Sequence, residues 1–444
     1  MMHKTILYFS LAIIAASFCS KPADAQVSKK AVNEFLNDSA VRTGHAGISI
    51  YDPASKKYLY NYNADKNFLP SSNVKLFTLY AGLKYLGDSI PGMHIEEFDS
   101  SIYLSPAGDP TLLHPDFFSQ PVIDYLSATN KHISIRMSFI RPPAFAPGWT
   151  WEDYSEDFMP ERSAMPVYGN LITFSGTESN VSYFPKAIMP SQIEFPFFGD
   201  DSIAPYISGG RRQRDKNVFG LKTRGTVATN ISIPFIVSES LVIKLLSDTI
   251  HKDIRNLISE IRRDHSTGTY KTVHSRPVDS LFRPMMFNSD NFFAEQTLLM
   301  VSNERLGYMN DEAIIDTLLK TDLADIPTKP RWVDGSGLSR YDLFSPKDFI
   351  YILVKLQNEF GWERMKRILP GAGEGTLKHY YEDVPGRIYA KTGSMSNNVS
   401  LSGYLITKKN KKLLFSVIIN NFSGSGTSGR KAIEKLILSV IESN

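Results

Sequence analysis

Cysteine is nearly missing from this sequence: Cys19 is the single one in 444 residues. It lies in an N-terminal stretch with the pattern of an export leader. Lys4 supplies a positive end, Ile6 to Phe18 an apolar core, and Ala23-Asp24-Ala25 a small-x-small cleavage site before Gln26. Loss of residues 1–25 leaves no thiol, which excludes disulfides, cysteine nucleophiles and thiolate metal sites. A lipoprotein reading of Ala16-Ser17-Phe18-Cys19 is the alternative, and the bulky Phe18 argues against it. The nine histidines show no H-x-x-H or H-E-x-x-H spacing, so neither a metal site nor an organic cofactor is indicated. Charge of one sign is also scarce. A net +3 gives no global case for nucleic acid, and the leader's apolar run is too short for a permanent membrane span. No internal repeat or low-complexity tract occurs.

What is present is a chain 42% hydrophobic, long enough to bury the cores of two or three domains. Residues 27–41 read as a short amphipathic helix with Val32, Phe35, Leu36 and Val41 as apolar contacts. Two strands follow, Gly47 to Tyr51 and Tyr58 to Tyr62, joined by a turn at Asp52-Pro53-Ala54-Ser55. From about 96 to 274 short β-like segments are cut by proline and glycine, and no helical period lasts until Ser238 to Leu246. That texture predicts one or two mostly β modules, with an inner module near 170–235, set into a domain made of residues 26–95 and 275–444. The basic stretch Gly209 to Lys216 reads as a solvated loop, with contact to an anionic polymer as the alternative. Helices are expected at Asn291 to Val301, Asp311 to Leu319 and Ser345 to Leu356. A strand is expected at Arg387 to Lys391, then a hairpin of Leu401 to Thr407 with Lys412 to Asn420. The chain closes on an apolar stripe, Ile433, Leu436, Ile437, Val440 and Ile441. Strands near both termini imply a sheet built from both ends of the chain.

Three short motifs carry the chemistry. Ser72 and Lys75 stand three residues apart at the start of an apolar helical run, which puts both side chains on one face. A serine hydroxyl needs a partner to take its proton, and an amine does so only when uncharged. Free lysine titrates at about 10.4, so burial and a nearby cation must lower Lys75. Ser428-Gly429-Arg430-Lys431 repeats the spacing and reads as chance. Ser289-Asp290-Asn291 opens a helix, and Lys391-Thr392-Gly393-Ser394 ends a strand. Ser289 is suited to relay a proton to a leaving amine, and Asn291 to orient a substrate amide. Lys391 is the cation expected both to lower Lys75 and to attract a carboxylate. Thr392 and Ser394 offer it hydroxyls, and Gly393 leaves room for substrate against the strand edge. The N–H groups of Ser72 and Ser394 can form an oxyanion hole. Together these imply a peptide substrate with a free C-terminus.

The trio, in this order, is that of penicillin-binding proteins and class A β-lactamases. The long gap after Lys75 makes the chain resemble the class C low-molecular-mass penicillin-binding proteins, the D-alanyl-D-alanine carboxypeptidase/endopeptidase family. Gly108 to Leu112, Pro147 to Asp153, Asn288 to Glu295, Asp334 to Arg340 and Leu401 to Tyr404 also resemble stretches typical of it. The resemblance implies an α/β (α+β) fold: a serine transpeptidase/β-lactamase-like domain with an antiparallel sheet flanked by helices, carrying mostly β inserted domains. It implies an acyl-enzyme on Ser72, peptidoglycan peptides as substrates, β-lactams as inhibitors, and a place in the periplasm or cell envelope. Asp153 and Phe158 match positions that in relatives meet the free end of a diaminopimelate side chain, and Arg340 borders the same pocket. A glutamine common two places after the third motif is Ser396 here, a departure that bears on side-chain preference. Read without the family, Asp153 also suits a turn brace and Arg340 a surface ion pair, while Asp334-Gly335-Ser336-Gly337 suits a shaped loop. A β-lactamase and a non-catalytic envelope scaffold are the rival functions.

Overall fold

The computed structural model describes residues 27–443 except 138–141, 187, 189–191, 195–205, 226 and 258–267, so the leader and Cys19 lie outside the described residues. Helix α1 (Lys29–Leu36) is capped by Ser28, whose Oγ accepts the Ala31 N–H, and it buries Val32 and Phe35. Strands β1 (His45–Asp52) and β2 (Lys57–Tyr62) turn at Asp52, whose Oδ1 accepts the N–H groups of Ala54 and Ser55. Helix α2 (Lys75–Tyr85) follows a 3-10 turn at Ser71–Val74. The middle of the chain supplies β3 (Ser89–Glu97), β4 (Ser101–Pro106), α3 (Pro121–Ala128), β5 (His132–Ile135), β6 (Leu171–Thr177) and β7 (Asn180–Phe184). It continues with β8 (Gln192–Glu194), β9 (Tyr206–Arg212), β10 (Val218–Gly225), β11 (Ile231–Pro234), α4 (Glu239–Ile250), β12 (Ile254–Asn256) and β13 (Thr269–Pro277). The last third holds α5 (Asp279–Phe287), α6 (Asn291–Leu306), α7 (Asp311–Lys320), α8 (Pro346–Phe360) and α9 (Trp362–Ile368). It ends with β14 (Ile388–Met395), β15 (Asn398–Ile406), β16 (Lys412–Asn420) and α10 (Gly426–Ser443).

Both ends of the chain meet in one antiparallel sheet, ordered β14-β15-β16-β1-β2. Helices cover both of its faces. Strand β16 is buried at every position from Leu413 to Asn420, which a sheet with one solvated face would not require. On one side α2, α5, α6 and α8 pack through Phe77, Phe282, Phe293 and Phe349. On the other, α1 and the closing α10 pack through Phe35, Ile433, Leu436 and Ile437. This is an α+β fold with an antiparallel sheet flanked by helices.

Two further sheets come from the middle of the chain. One is ordered β12-β5-β4-β3-β13 and the other β11-β6-β9-β10-β8, with β7 on β6. Residues 96 and 274, where the sequence texture changes, lie inside β3 and β13, and these two strands pair with each other. Helix α3, eight residues opened by Pro121, interrupts a stretch read as β-like. The basic stretch is not a solvated loop at its start. Gly209 to Arg212 complete β9, and Arg212 is 1% exposed, donating to Glu161 Oε1 at 3.0 Å and to the carbonyls of Gln213, Arg214 and Pro234. A guanidinium tolerates such burial when its donors are satisfied and its charge is paired. Only 213–217 form the turn. Among the described residues no helix is long and apolar enough to cross a membrane.

Candidate active site

Ser72 sits in the 3-10 turn that leads into α2, after Ser71 with φ of 51°. Three contacts pin this turn. Ser400 Oγ donates to the Pro70 carbonyl at 2.7 Å, Asn73 Nδ2 donates to Ser402 Oγ at 2.8 Å, and Gly337 lies against the Ser71 carbonyl. Gly337 has φ of +78°, and a Cβ there would stand 2.0 Å from Ser71 O, so only glycine fits. Lys75 Nζ donates to Ser72 Oγ at 3.0 Å, Asn291 Oδ1 at 2.7 Å and the Ser336 carbonyl at 2.7 Å, which uses all three ammonium protons.

Lys75 is fully buried, and burial lowers its pKa to about 8. Asp334, Glu295 and Asp290 push it back up. Of the two causes expected from the sequence, burial and a nearby cation, burial is the one that lowers Lys75, and Lys391 is not among the causes. The repulsion between the two lysines is felt at Lys391, which burial and Lys75 hold well below its ordinary value. Lys391 Nζ donates to Ser289 Oγ at 2.9 Å and to the Thr392 carbonyl at 2.8 Å. Ser289 holds the left-handed φ of 60° that turns its hydroxyl there. Asp290 follows as the N-cap of α6, its Oδ1 accepting from Phe293 N at 2.8 Å. That cap sets Asn291, whose Oδ1 faces Lys75 and whose Nδ2 donates to the Phe158 carbonyl at 3.0 Å.

The structure therefore brings Ser72, Lys75, Ser289, Asn291 and Lys391 together. Thr392, Gly393 and Ser394 lie within β14, not beyond its end. A Cβ on Gly393 would meet Ser400 Oγ at 2.2 Å and Pro70 O at 2.7 Å, so this glycine serves close packing against the Ser72 turn as well as access. Ser394 is exposed, and its Oγ accepts from Arg430 Nη2 at 2.7 Å and Nε at 3.2 Å. Arg430 belongs to the second S-x-x-K stretch, read as chance. Ser428 plays no such part, while the arginine between does reach the third motif.

Asp334 shapes the loop the sequence singled out. Its carboxylate accepts from the N–H groups of Gly337 at 2.7 Å and Ser339 at 2.6 Å and from Trp149 Nε1 at 2.8 Å. Glu295, on α6, accepts the Ser336 N–H at 2.7 Å. Sequence reasoning did not single out Glu295 or Arg430. Spacing could have found Glu295, which is one helical turn from Asn291 and on the same face.

Of the three resemblance-derived positions, Phe158 is 41% exposed and lines a cleft of about 380 Å³ that also borders Ser289 and Asn291. Asp153 lies in a 3-10 turn (Trp151–Asp153), its carboxyl raised by burial and lowered by Arg340. Arg340 is exposed and donates to Thr150 Oγ1 at 3.3 Å. Asp153 feels the charge of Arg340, and neither lines the cleft. Among the described residues no group of three or more His, Cys, Asp or Glu side chains is placed to hold a metal ion.

An alcohol hydrogen-bonded to a buried amine, with a second buried lysine that feels that amine's charge, is an arrangement suited to acyl transfer. The D-alanyl-D-alanine carboxypeptidase of an Actinomadura species is 24% identical over 88% of this chain and 81% of its own length. The solved structure of penicillin binding protein 4 from Haemophilus influenzae superposes with a TM-score of 0.70 at 16% identity, covering 91% of this chain and 97% of that one. A predatory peptidoglycan endopeptidase from Bdellovibrio bacteriovorus superposes with a TM-score of 0.53 at 15% identity, covering 89% and 92%. The model of the D-Ala-D-Ala carboxypeptidase 3 (S13) family matches residues 28–440, and the chain belongs to that family.

Proposed function

We propose that this chain is an exported serine DD-peptidase that trims peptidoglycan stem peptides through an acyl-enzyme on Ser72. One observation carries the reading: Lys75 Nζ lies 3.0 Å from Ser72 Oγ while held by Asn291 and Ser336. With its pKa near 8, Lys75 is uncharged in about a tenth of molecules at pH 7 and in that form can take the Ser72 proton. Ser72 Oγ then adds to the carbonyl of the penultimate D-alanine, its oxyanion held by the N–H groups of Ser72 and Ser394. The C–N bond breaks, and the departing amine takes its proton through Ser289, which the Lys391 contact aims. Water then splits the ester and regenerates Ser72. A β-lactam enters the same path because its strained amide resembles the scissile bond.

The substrate carboxylate docks at Lys391, Thr392 and Ser394. The negative charge of that carboxylate favours the ammonium form of Lys391, against the burial that disfavours it. Asp153 and Arg340 are opposite charges that feel each other, a pairing that suits the free amino-acid end of a stem side chain. The leader pattern and a substrate outside the cytoplasmic membrane support export. Digestion of purified muropeptides tests the reading: monomers lose one alanine mass if it is right, and remain intact if it is wrong.

A further inference from the structure

We propose that Asp342 is a positioning residue for acylation: its carboxyl carries a proton that it donates to Asp334, and that bond fixes the loop from which Ser336 holds Lys75. The inference rests on the acyl-transfer reading above. Asp342 is fully buried and closes the neck of that loop. Its Oδ1 accepts the Val333 N–H at 2.8 Å, and Arg331 pairs with Leu343 across the same neck. Residues 334–341 hang from it.

The second oxygen of this carboxyl fixes its protonation. Asp342 Oδ2 is out of reach of water, no donor among the described residues reaches it, and the side chain it meets is that of Asp334. Two carboxylates only accept, so a bond between them needs a hydrogen on one. The surrounding donors decide which. Asp334 takes the N–H groups of Gly337 at 2.7 Å and Ser339 at 2.6 Å and the indole N–H of Trp149 at 2.8 Å, and each of these favours an anion. Asp342 takes a single backbone N–H. The proton therefore sits on Asp342, and burial, with the charge of Asp334, holds its carboxyl well above the usual carboxylate range.

A proton here serves Lys75 in two ways. It ties the neck to the carboxylate around which Gly337 and Ser339 are wrapped, and Ser336, between Asp334 and Gly337, accepts from Lys75 at 2.7 Å. Thr78 Oγ1 donates to the Gly335 carbonyl at 2.6 Å, so the same loop is also held to α2. The tie adds no second negative charge. Asp334, Glu295 and Asp290 already push Lys75 towards its charged form, and an ionised Asp342 would join them. A neutral side chain that both accepts and donates meets both needs.

Two variants and one spectrum test this. Asp342→Asn keeps an oxygen for Val333 and offers Asp334 an amide N–H without ionising, whereas Asp342→Ala removes both. The Asn variant should label with fluorescent penicillin within about threefold of wild type, and the Ala variant about tenfold or more slower. At neutral pH the infrared difference between wild type and Asp342→Asn should show the C=O band of a protonated carboxyl that shifts in heavy water. An Asn variant as slow as the Ala variant, an Ala variant at the wild-type rate, or a difference spectrum holding only carboxylate bands overturns the inference. Should the Ala variant fail to fold, the Asn rate and the infrared band decide by themselves. A wild-type protein that never labels overturns the acyl-transfer reading instead, and the infrared band still reports the proton.

Discussion

Glu295 Oε1 accepts the backbone N–H of Ser336 at 2.7 Å, and the carbonyl of that same Ser336 accepts from Lys75 at 2.7 Å. Asn291, the other fixed acceptor of Lys75, lies one turn earlier on α6. One helix therefore sets both positions that aim the amine at Ser72. Burial and Asp334 raise the Glu295 carboxyl to about 7, against the pull of Arg162. Glu295→Gln keeps an acceptor for Ser336 and should label with fluorescent penicillin within about threefold of wild type. Glu295→Ala leaves the Ser336 N–H and the Arg162 guanidinium short of a partner. It should lose about tenfold or more in labelling rate and melt earlier.

The pH profile should report Lys75. Its folded pKa, about 8, lies below its ordinary value of 10.5, so the site holds a charged, incompetent amine below about pH 8. The second-order rate of acylation by penicillin should climb about tenfold per pH unit towards pH 8 and level above it. Stability follows the same linkage. Between about 8 and 10.5 the unfolded chain binds the extra proton, so the cost of burying this amine is greatest below pH 8 and fades as pH rises to 10.5. A flat acylation profile from pH 6 to 9 contradicts the assignment.

Gly337→Ala should cost at least about 3 kcal/mol or abolish penicillin labelling, because it adds left-handed strain to a backbone clash. The Cβ would lie 2.0 Å from Ser71 O, and relief of that contact moves the Ser72 turn. Thermal melting together with labelling rate measures both losses.

Arg430→Ala should raise KM for a peptide with a free C-terminal carboxylate by about fivefold to tenfold while kcat changes little. No carboxylate among the described residues pairs with this guanidinium, and its contact is the Ser394 hydroxyl. The C-terminally amidated peptide should show no such rise, because it brings no anion. A loss in kcat alone would assign Arg430 a different role.

Much of this site was legible because its chemistry is local or ordered. Ser72 and Lys75 are tied by helical spacing. Ser289, Asn291 and Lys391 announce themselves by motif order and by the cap at Asp290. The sheet built from both termini was legible in the strand pair near the N-terminus and the β15–β16 hairpin near the other end. What escaped depends on contacts across long separations or on groups without a side-chain signature. Ser336 serves Lys75 through a backbone carbonyl, which any residue could supply. Arg430 meets Ser394 only after the chain has turned through two strands and entered α10. Arg212 looked like one cation in a basic loop, and only the fold delivers Glu161 to it. Burial was expected for Lys75 and holds, whereas the share given to Lys391 does not. Sequence shows which charges exist, whereas desolvation depends on how the walls close around them.

The central claim is that Ser72, activated by Lys75, is the acylated residue. Intact mass after incubation with benzylpenicillin tests it most directly. Wild type should gain one penicillin mass and Ser72→Ala none; an adduct of equal yield on Ser72→Ala contradicts the account.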